Sequence, residues 1–373
     1  MTRNALRPTR SSAIITVGIL VVTLIFTEWP SPPPDESTWA VFSQALEARM
    51  GVSSAQKQRG AHVFGFIDSS NIQTVKPLNL EWMALVSWGF QDDYNSPDIG
   101  HHNGDSVYIR ASDSNWVKQI QLVRAAGYKV FFKPHVWVNE PTEGTWRSDI
   151  FPNDETSWQS WQDSYRDFIL RYARVAEKGG AEMFCIGTEF SRLTVEKPEF
   201  WENLIHEVRE VYSGKITYAA NWHDEYEKIT FWDQLDYIGI QAYFPLTTET
   251  NPSVESIAKG WEKYLPAMEA IRKKYRRNIL FTEMGYKSTA NSADKPWEWI
   301  ENPESSDAVF SAETQANCYR AFFKAVWNKP WFAGVYIWQV RSDFEGHNGK
   351  NDLDFTPQGK PAEAIIAREF GRR

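Results

Sequence analysis

Short apolar segments alternate with amphipathic stretches along most of the chain, and this alternation most constrains the fold. Uniformly apolar runs of this kind are typical of parallel strands that are covered on both faces. Helix-like stretches such as 157–178 lie between them. Eight such repeats predict an α/β protein with a single closed (β/α)8 TIM barrel over residues 61–373. The predicted strands are 63–67, 83–88, 129–136, 183–188, 216–220, 237–242, 279–282 and 334–338.

Residues 1–28 combine a basic segment with a strongly apolar one. Three arginines within residues 1–10 precede the apolar run 13–26, which is the order found in an export signal or a signal anchor. No small-x-small cleavage site follows, so we expect an uncleaved membrane anchor rather than a cleaved signal peptide or a buried core helix. The barrel would then lie outside the cytoplasm, or be secreted or periplasmic if the segment is cleaved. Residues 29–60 are predicted to form a proline-rich linker and a short helix.

The composition narrows the expected partners. The formal net charge is −8 and no basic run follows the N-terminal segment, so nucleic acid is not an expected partner. The chain is instead rich in aromatic residues, with 18 Trp, 15 Tyr and 22 Phe, and such rings stack on the apolar C–H faces of sugars. Cys185 and Cys318 lie in apolar segments and are predicted to be buried free thiols. The sequence leaves the oligomeric state open.

Two of the predicted strands end in a glutamate. Glu189 follows the strand 183–188 and Glu283 follows the strand 279–282. A charged side chain at such a position is costly to desolvate unless it has partners or a task. Each glutamate by itself could equally be a surface carboxylate in a loop. As a pair they end the fourth and seventh strands, which face each other across the barrel mouth, so we expect both to act on one substrate.

Hydrogen-bond donors and aromatic side chains accompany the two glutamates at the strand ends, where barrel enzymes build their active sites. Glycoside hydrolysis needs these residue types, because a protonated carboxyl assists the departing oxygen, a carboxylate attacks the anomeric carbon, and rings and polar groups hold the sugar. We therefore predict that Glu283 is the nucleophile and Glu189 the acid/base. The candidate substrate-binding residues are Lys133, His135, Trp137, Thr188, Asn221, Trp222, Tyr243 and Trp338.

Some of these candidates have a more specific expected role. Tyr243 could donate a hydrogen bond that keeps Glu283 ionised, and Trp338 would form the floor beneath the sugar that is cleaved. His135 would donate to a substrate hydroxyl. The pKa of Glu189 is expected to be raised by the nearby negative charge and by apolar neighbours. The simpler alternative for each aromatic or histidine side chain is a packed position in the core.

Several motifs near the strand ends form a recognisable set. They are the segments 133–135 (Lys-Pro-His), 144–147 (Gly-Thr-Trp-Arg), 185–189 (Cys-Ile-Gly-Thr-Glu) and the closing segment 354–362. Together they resemble glycoside hydrolase family 113, one of the clan A families of (β/α)8 glycoside hydrolases, over about residues 61–365. The known members are endo-β-1,4-mannanases. The resemblance therefore implies a retaining glycoside hydrolase for a β-linked polysaccharide or oligosaccharide, with β-1,4-mannan favoured and no cofactor or metal required.

Two positions depart from the pattern of the clan A families. Thr188 stands where many of them have an asparagine that holds the sugar 2-hydroxyl, and no arginine ends the second strand, where it would support the nucleophile. Lys133 is the candidate for that positive charge. Mannose and glucose differ at the 2-position, so Thr188 leaves open a retaining hydrolase of a different β-glycan.

Two hypotheses from other classes compete with a glycoside hydrolase. A non-catalytic glycan-binding barrel would keep the cleft without the chemistry, although the presence of both glutamates favours catalysis. A metal-dependent barrel isomerase requires ligands clustered at the strand ends, and two carboxylates with one histidine do not make such a set. The His101-His102 pair, with Asp98 and Asp105 nearby, matches no established ligand spacing, so we expect it to belong to a solvated loop.

Overall fold

Parallel strands close into a barrel in the computed structural model, which describes residues 52–65, 67–100, 112–300, 306–346 and 352–372. In this part of the chain the strands are β1 (Gln58–Phe64), β2 (Trp82–Leu85), β3 (Trp88–Gln91), β4 (Lys129–Phe132), β5 (His135–Val138), β6 (Met183–Thr188), β7 (Lys215–Asn221), β8 (Ile238–Gln241), β9 (Ile279–Met284) and β10 (Phe332–Arg341). Around the barrel the order is β1-β10-β9-β8-β7-β6-β4-β2, and β2 pairs with β1 to close it. The predicted (β/α)8 barrel is confirmed.

Helices follow most barrel strands and cover the outside of the sheet. The helices are α1 (Asp113–Ala125), α2 (Glu155–Gly179), α3 (Ser191–Glu196), α4 (Pro198–Val211), α5 (Val254–Glu262), α6 (Leu265–Tyr275), α7 (Ala312–Phe322) and α8 (Pro361–Gly371).

The longest of these helices, α2, shows why the sequence forms helix here. The Asp154 side chain caps its first turn by accepting from Ser157 N, and Gly180 ends it in the left-handed conformation, with φ of 80°. Its inner face is strongly aromatic, and Trp161 stacks on Tyr165 with ring centroids 4.8 Å apart. This face packs against the barrel near the C-terminal end of β6, since Tyr165 Oη donates to Ile186 O at 2.8 Å.

The interior of the barrel is filled by side chains from its own strands. Gly60 on β1 leaves room for one of them, because a Cβ at this position would lie 2.4 Å from Cδ1 of Tyr336. Because the interior is filled, the barrel has no open channel. A ligand can therefore approach only at the C-terminal ends of the strands. The buried cluster consists of Trp82, Ala84, Phe131, Met183, Cys185, Ala219, Leu280, Ala333 and Tyr336.

The first strand lies closer to the N-terminus than predicted. It spans Gln58–Phe64 rather than 63–67, because Gly65 takes a φ of 93° that ends the extended conformation. The polar start of the strand concealed it in the sequence. Gln58 and Arg59 are nevertheless buried, and Gln58 Oε1 accepts a 2.6 Å hydrogen bond from Tyr336 Oη.

Two other predicted strands are each divided in the structure. The segment 83–88 contains the end of β2 and the start of β3, and the segment 129–136 contains β4 and the start of β5. Pro134 lacks an N–H for the ladder and separates β4 from β5. β3 and β5 pair in parallel as a separate two-stranded sheet, with Trp88 opposite His135. This sheet continues beyond the strand ends of the barrel and carries His135 and Trp137 there.

The part of the chain that the structure describes contains no helix long and apolar enough to cross a membrane. The anchor predicted for 1–28 and most of the linker and short helix predicted for 29–60 lie outside the described residues, as do His101, His102 and Asp105. The anchored and exported location therefore stays a prediction. Cys185 and Cys318 are both buried free thiols, as expected.

Candidate active site

The side chain of Glu283 lies near the end of β9, where it is almost fully enclosed, with an exposed fraction of 4%. Lys133 Nζ forms an ion pair with Glu283 Oε1, and Tyr243 Oη donates a 2.8 Å hydrogen bond to Glu283 Oε2. Lys133 Nζ also donates to Gln241 Oε1 at 3.1 Å. Donors that follow β4 and β8 therefore hold both oxygens of the carboxylate.

The surroundings of Glu283 keep it ionised. Burial is the largest single effect and by itself would raise its pKa. The charge and hydrogen bond of Lys133, acting together with His62 and Gln241, outweigh burial, and the pKa falls to about 2. His62 Nε2 and His135 Nε2 lie 3.9 Å and 3.7 Å from Glu283 Oε1. Burial, together with the charge of Lys133, lowers the pKa of both imidazoles, to about 3 for His62, so both rings are neutral at ordinary pH. Lys133 therefore supplies the positive charge beside Glu283.

The backbone of Glu189 has an unusual conformation immediately after β6. Its φ is 58°, in the left-handed region that glutamate rarely occupies. Such a conformation costs on the order of 1 kcal/mol or more and persists where the surroundings hold it in place. Here Glu189 N donates to Ala219 O on the neighbouring strand β7 at 2.9 Å. The conformation therefore fixes the direction in which the carboxyl leaves the strand.

The electrostatic environment of Glu189 differs from that of Glu283. Its side chain is 12% exposed, and Arg147 Nε lies 3.0 Å from Oε2. Burial raises the pKa of Glu189; the positive charge of Arg147 opposes this rise and the negative charge of Glu283 adds to it, so that the pKa stays above its ordinary value. Two carboxyls whose pKa values are shifted in opposite directions are suited to an acid and a nucleophile acting together.

Arg147 and His62 belong to this site but were not among the predicted site residues. Arg147 lies in the 3-10 turn Arg147–Asp149, and its Nη1 is 3.3 Å from His135 Nδ1. An arginine in a polar loop carries no spacing signal, although Arg147 does end the motif 144–147. His62 lies on β1, one residue before the predicted start of that strand, so its position at the site could not be inferred.

Three of the remaining predicted residues, Trp338, Thr188 and Asn221, are buried or held by other side chains near the two glutamates. Trp338 is buried beside the catalytic end of the barrel, with its ring 5.0 Å from that of His62 and stacked toward His135 at 6.4 Å. Thr188 is 1% exposed, and its Oγ1 has no hydrogen-bond partner within the described ranges. Asn221 does not project freely, because its Nδ2 donates to Ser191 Oγ at 2.8 Å.

Exposed tryptophans lie on two sides of the carboxylate pair. Trp137 is 42% exposed and meets Trp146 edge to face at 5.6 Å, after β5. Trp222, which follows β7, stacks on Trp297 at 5.3 Å. Trp299 is 57% exposed. Exposed rings of this kind form platforms for the apolar faces of sugars.

The described part of the chain has no group of three or more His, Cys, Asp and Glu side chains able to hold a metal ion. It does bring two carboxyls, a lysine, two neutral imidazoles and a tyrosine to one end of the barrel. This set can stabilise charge at one carboxylate and deliver a proton from the other, between aromatic surfaces.

The chain is similar to several solved glycoside hydrolases. A solved GH113 β-1,4-mannanase is 25% identical, with 85% of this chain and 100% of that chain covered and a TM-score of 0.72. The GH113 β-mannanase AaManA from Alicyclobacillus acidocaldarius, in complex with ManMIm, is 28% identical, with 84% and 97% covered and a TM-score of 0.71. A β-glucuronidase from Ruminococcus gnavus is 13% identical over 84% of this chain and 50% of that chain, with a TM-score of 0.55, and shares only the fold.

No curated protein matches the chain significantly. The model for Glycoside Hydrolase Family 113, in contrast, matches residues 61–360, which include both strand-end glutamates and every barrel strand from β2 to β10. The chain therefore belongs to glycoside hydrolase family 113 and is a glycoside hydrolase.

Proposed function

We propose that this enzyme hydrolyses β-1,4-mannan and manno-oligosaccharides with retention of configuration, by double displacement. The observation that carries the mechanism is the opposite electrostatic environment of the two glutamates. The pKa of Glu283 is about 2, which keeps a nucleophile ionised. Burial raises the pKa of Glu189, which favours the protonated form that a general acid needs.

In the first step a Glu283 oxygen attacks the anomeric carbon as the glycosidic C–O bond breaks. Glu189 gives its proton to the departing oxygen, and a glycosyl ester of Glu283 remains. In the second step Glu189, now ionised, takes a proton from water, the water oxygen attacks the anomeric carbon, and the ester bond to Glu283 breaks. Lys133 and Tyr243 compensate the charge that returns to Glu283.

The choice of mannan is supported by the family and by its solved members. Two GH113 β-mannanases align over nearly their whole length. The exposed tryptophans on two sides of the carboxylates are suited to a chain that extends beyond the cleaved bond. A retaining hydrolase of a different β-glycan remains the second candidate, because Thr188 replaces the asparagine that holds the sugar 2-hydroxyl in many clan A enzymes.

Product analysis on manno- and cello-oligosaccharides of matched length tests the proposal. We expect rapid cleavage of β-1,4-linked mannopentaose, slow or no cleavage of cellopentaose, and β-configured products at early times by NMR. Preferred cleavage of the gluco-oligosaccharide would replace mannan with another β-glycan. α-Configured first products would exclude double displacement, and binding without cleavage across the panel would favour a glycan-binding barrel.

The substitution Lys133→Met is expected to move the acidic limb of the pH profile. Lys133 lowers the pKa of Glu283, so its removal raises that pKa from about 2 toward the ordinary value of 4.5. The nucleophile then becomes protonated, and kcat/KM falls, at a higher pH than in the wild type. The measurement is kcat/KM against pH on mannopentaose.

Lys360→Met is the matched control for this experiment. Lys360 is also buried, but its Nζ contacts Asp352 Oδ1 at 2.6 Å and Asp354 Oδ1 at 2.9 Å instead of Glu283. We expect the control to lose stability and to keep its acidic limb in place. An unshifted limb in Lys133→Met, or an equal shift in both variants, would contradict the role given to Lys133.

A further inference from the structure

A buried carboxylate outside the catalytic pair lies between β7 and β8. Glu225 is 0% exposed. Each of its oxygens accepts two hydrogen bonds, as befits an ionised carboxylate, which can only accept. Oε1 accepts from Tyr218 Oη at 2.6 Å and Thr194 Oγ1 at 2.9 Å, and Oε2 accepts from Asn221 N at 2.7 Å and Ser191 Oγ at 3.1 Å.

The donors around Glu225 lead to the residues that follow Glu189. Tyr218 Oη, which donates to Glu225, accepts a 2.7 Å hydrogen bond from Phe190 N. Ser191 begins α3, and its hydroxyl lies between Glu225 and Asn221 Nδ2, from which it accepts at 2.8 Å. Two routes therefore join Glu225 to the backbone directly after Glu189.

That backbone needs external support. Glu189 has a φ of 58°, and relaxation of a non-glycine residue to an ordinary conformation would turn its side chain away from its present direction. On the strand side, Glu189 N is held by Ala219 O. On the helix side, the contacts to Phe190 and Ser191 end at Glu225.

Burying a carboxylate costs desolvation free energy, which packing of the loops alone would not require. Burial raises the pKa of Glu225 to about 7, even though its donors favour the charged form. The proposed double displacement does not use this group, and its four donors leave no oxygen free for a substrate. The position of Glu225 is better explained by the backbone after Glu189, to which its donors connect it.

We propose that Glu225 is a positioning residue for the acid/base: through Tyr218 and Ser191 it holds the backbone after Glu189 so that the Glu189 carboxyl reaches the departing oxygen. The inference rests on the proposed role of Glu189. It predicts that loss of Glu225 damages proton donation more than attack by Glu283, which merely structural support would not do.

The test compares two substrates that differ in their need for a proton. In a 2,4-dinitrophenyl β-mannoside the leaving group departs without protonation, whereas mannotriose requires it. For Glu225→Gln, which keeps the shape but replaces one acceptor with a donor, we expect kcat/KM to fall about 10²-fold on mannotriose and less than about 3-fold on the aryl mannoside. We compare kcat/KM rather than kcat, because kcat/KM depends on the steps up to formation of the glycosyl ester and not on its hydrolysis.

Tyr218→Phe provides a second variant with a milder change. It removes the hydroxyl between Glu225 and Phe190 N and leaves the ring in place. We expect the same preference for the activated substrate, with a smaller loss on mannotriose. This variant tests the inference even if Glu225→Gln does not fold.

Asp236→Asn is the control for general destabilisation. Asp236 accepts from Lys215 Nζ at 2.8 Å, Arg209 Nη2 at 2.7 Å and Ile216 N at 2.9 Å, at the opposite end of the strands. We expect it to lower thermal stability and to change both substrates equally.

The outcomes separate this inference from the proposed function. If Glu189→Ala discriminates between the two substrates but Glu225→Gln and Tyr218→Phe lower both equally, Glu225 is only structural and the inference is wrong. If Glu189→Ala itself does not discriminate, the acid/base role is wrong, and the positioning role fails with it.

Discussion

Replacement of Glu283 with glutamine is expected to lower kcat on mannan by about 10⁴-fold or more. The amide carries no charge with which to attack the anomeric carbon. Its oxygen can still accept from Tyr243, so the fold and the sugar site should persist. The measurement is kcat on mannopentaose together with the Kd of the same ligand, and we expect the Kd to change far less than kcat.

The role of Glu283 can also be checked on the wild-type enzyme. A 2-deoxy-2-fluoro mannoside with a good leaving group slows the second step more than the first, so the glycosyl ester accumulates. We expect the mass of the wild-type enzyme to rise by one glycosyl unit, located on the peptide that contains Glu283. Glu298→Gln, which alters an exposed carboxylate paired with Lys295, should label and turn over normally. A label on another residue would show that Glu283 is not the nucleophile.

The second large effect is expected for Glu189→Ala. Loss of a general acid lowers the rate about 10²- to 10⁴-fold where the leaving group needs a proton. The first step on a 2,4-dinitrophenyl mannoside should be nearly unaffected, while the second step slows because no base activates water. The intermediate therefore accumulates, and kcat falls far more than kcat/KM on this substrate.

Azide provides a sharp test of the same variant. A small anion can enter the space left by the side chain and attack the glycosyl ester without a base. We expect azide to restore kcat on the dinitrophenyl mannoside and to yield a β-mannosyl azide. Rescue of the wild type to the same extent, or an α-configured azide, would be inconsistent with the acid/base role.

Much of the barrel could be predicted because parallel strands covered on both faces appear as apolar runs. The strand Met183–Thr188 has the predicted bounds. The first strand was misplaced because Gln58 and Arg59 are polar, and their burial depends on partners distant in sequence. Pro134 could be read in the sequence as a break in the strand. The separate sheet that β5 forms after this break could not be predicted, because it depends on pairing with β3.

The site was predictable where a residue ends a barrel strand. Glu189 and Glu283 stand out because a carboxylate directly after an apolar run is costly to desolvate unless it has partners or a function. Arg147 and Glu225 do not stand out. Both lie in polar stretches that look like solvated loops, and only the tertiary structure buries Glu225 and brings Arg147 to Glu189.

Under the proposed mechanism, the left-handed backbone of Glu189 means that this position serves activity at the expense of stability. Glycine adopts a φ of 58° without penalty, and asparagine does so at lower cost than glutamate. Selection for heat resistance alone would therefore favour replacement of the residue that we propose as the proton donor. Laboratory evolution of a hardier enzyme needs an activity screen at every round, and sequence designs ranked by calculated stability should hold this position fixed.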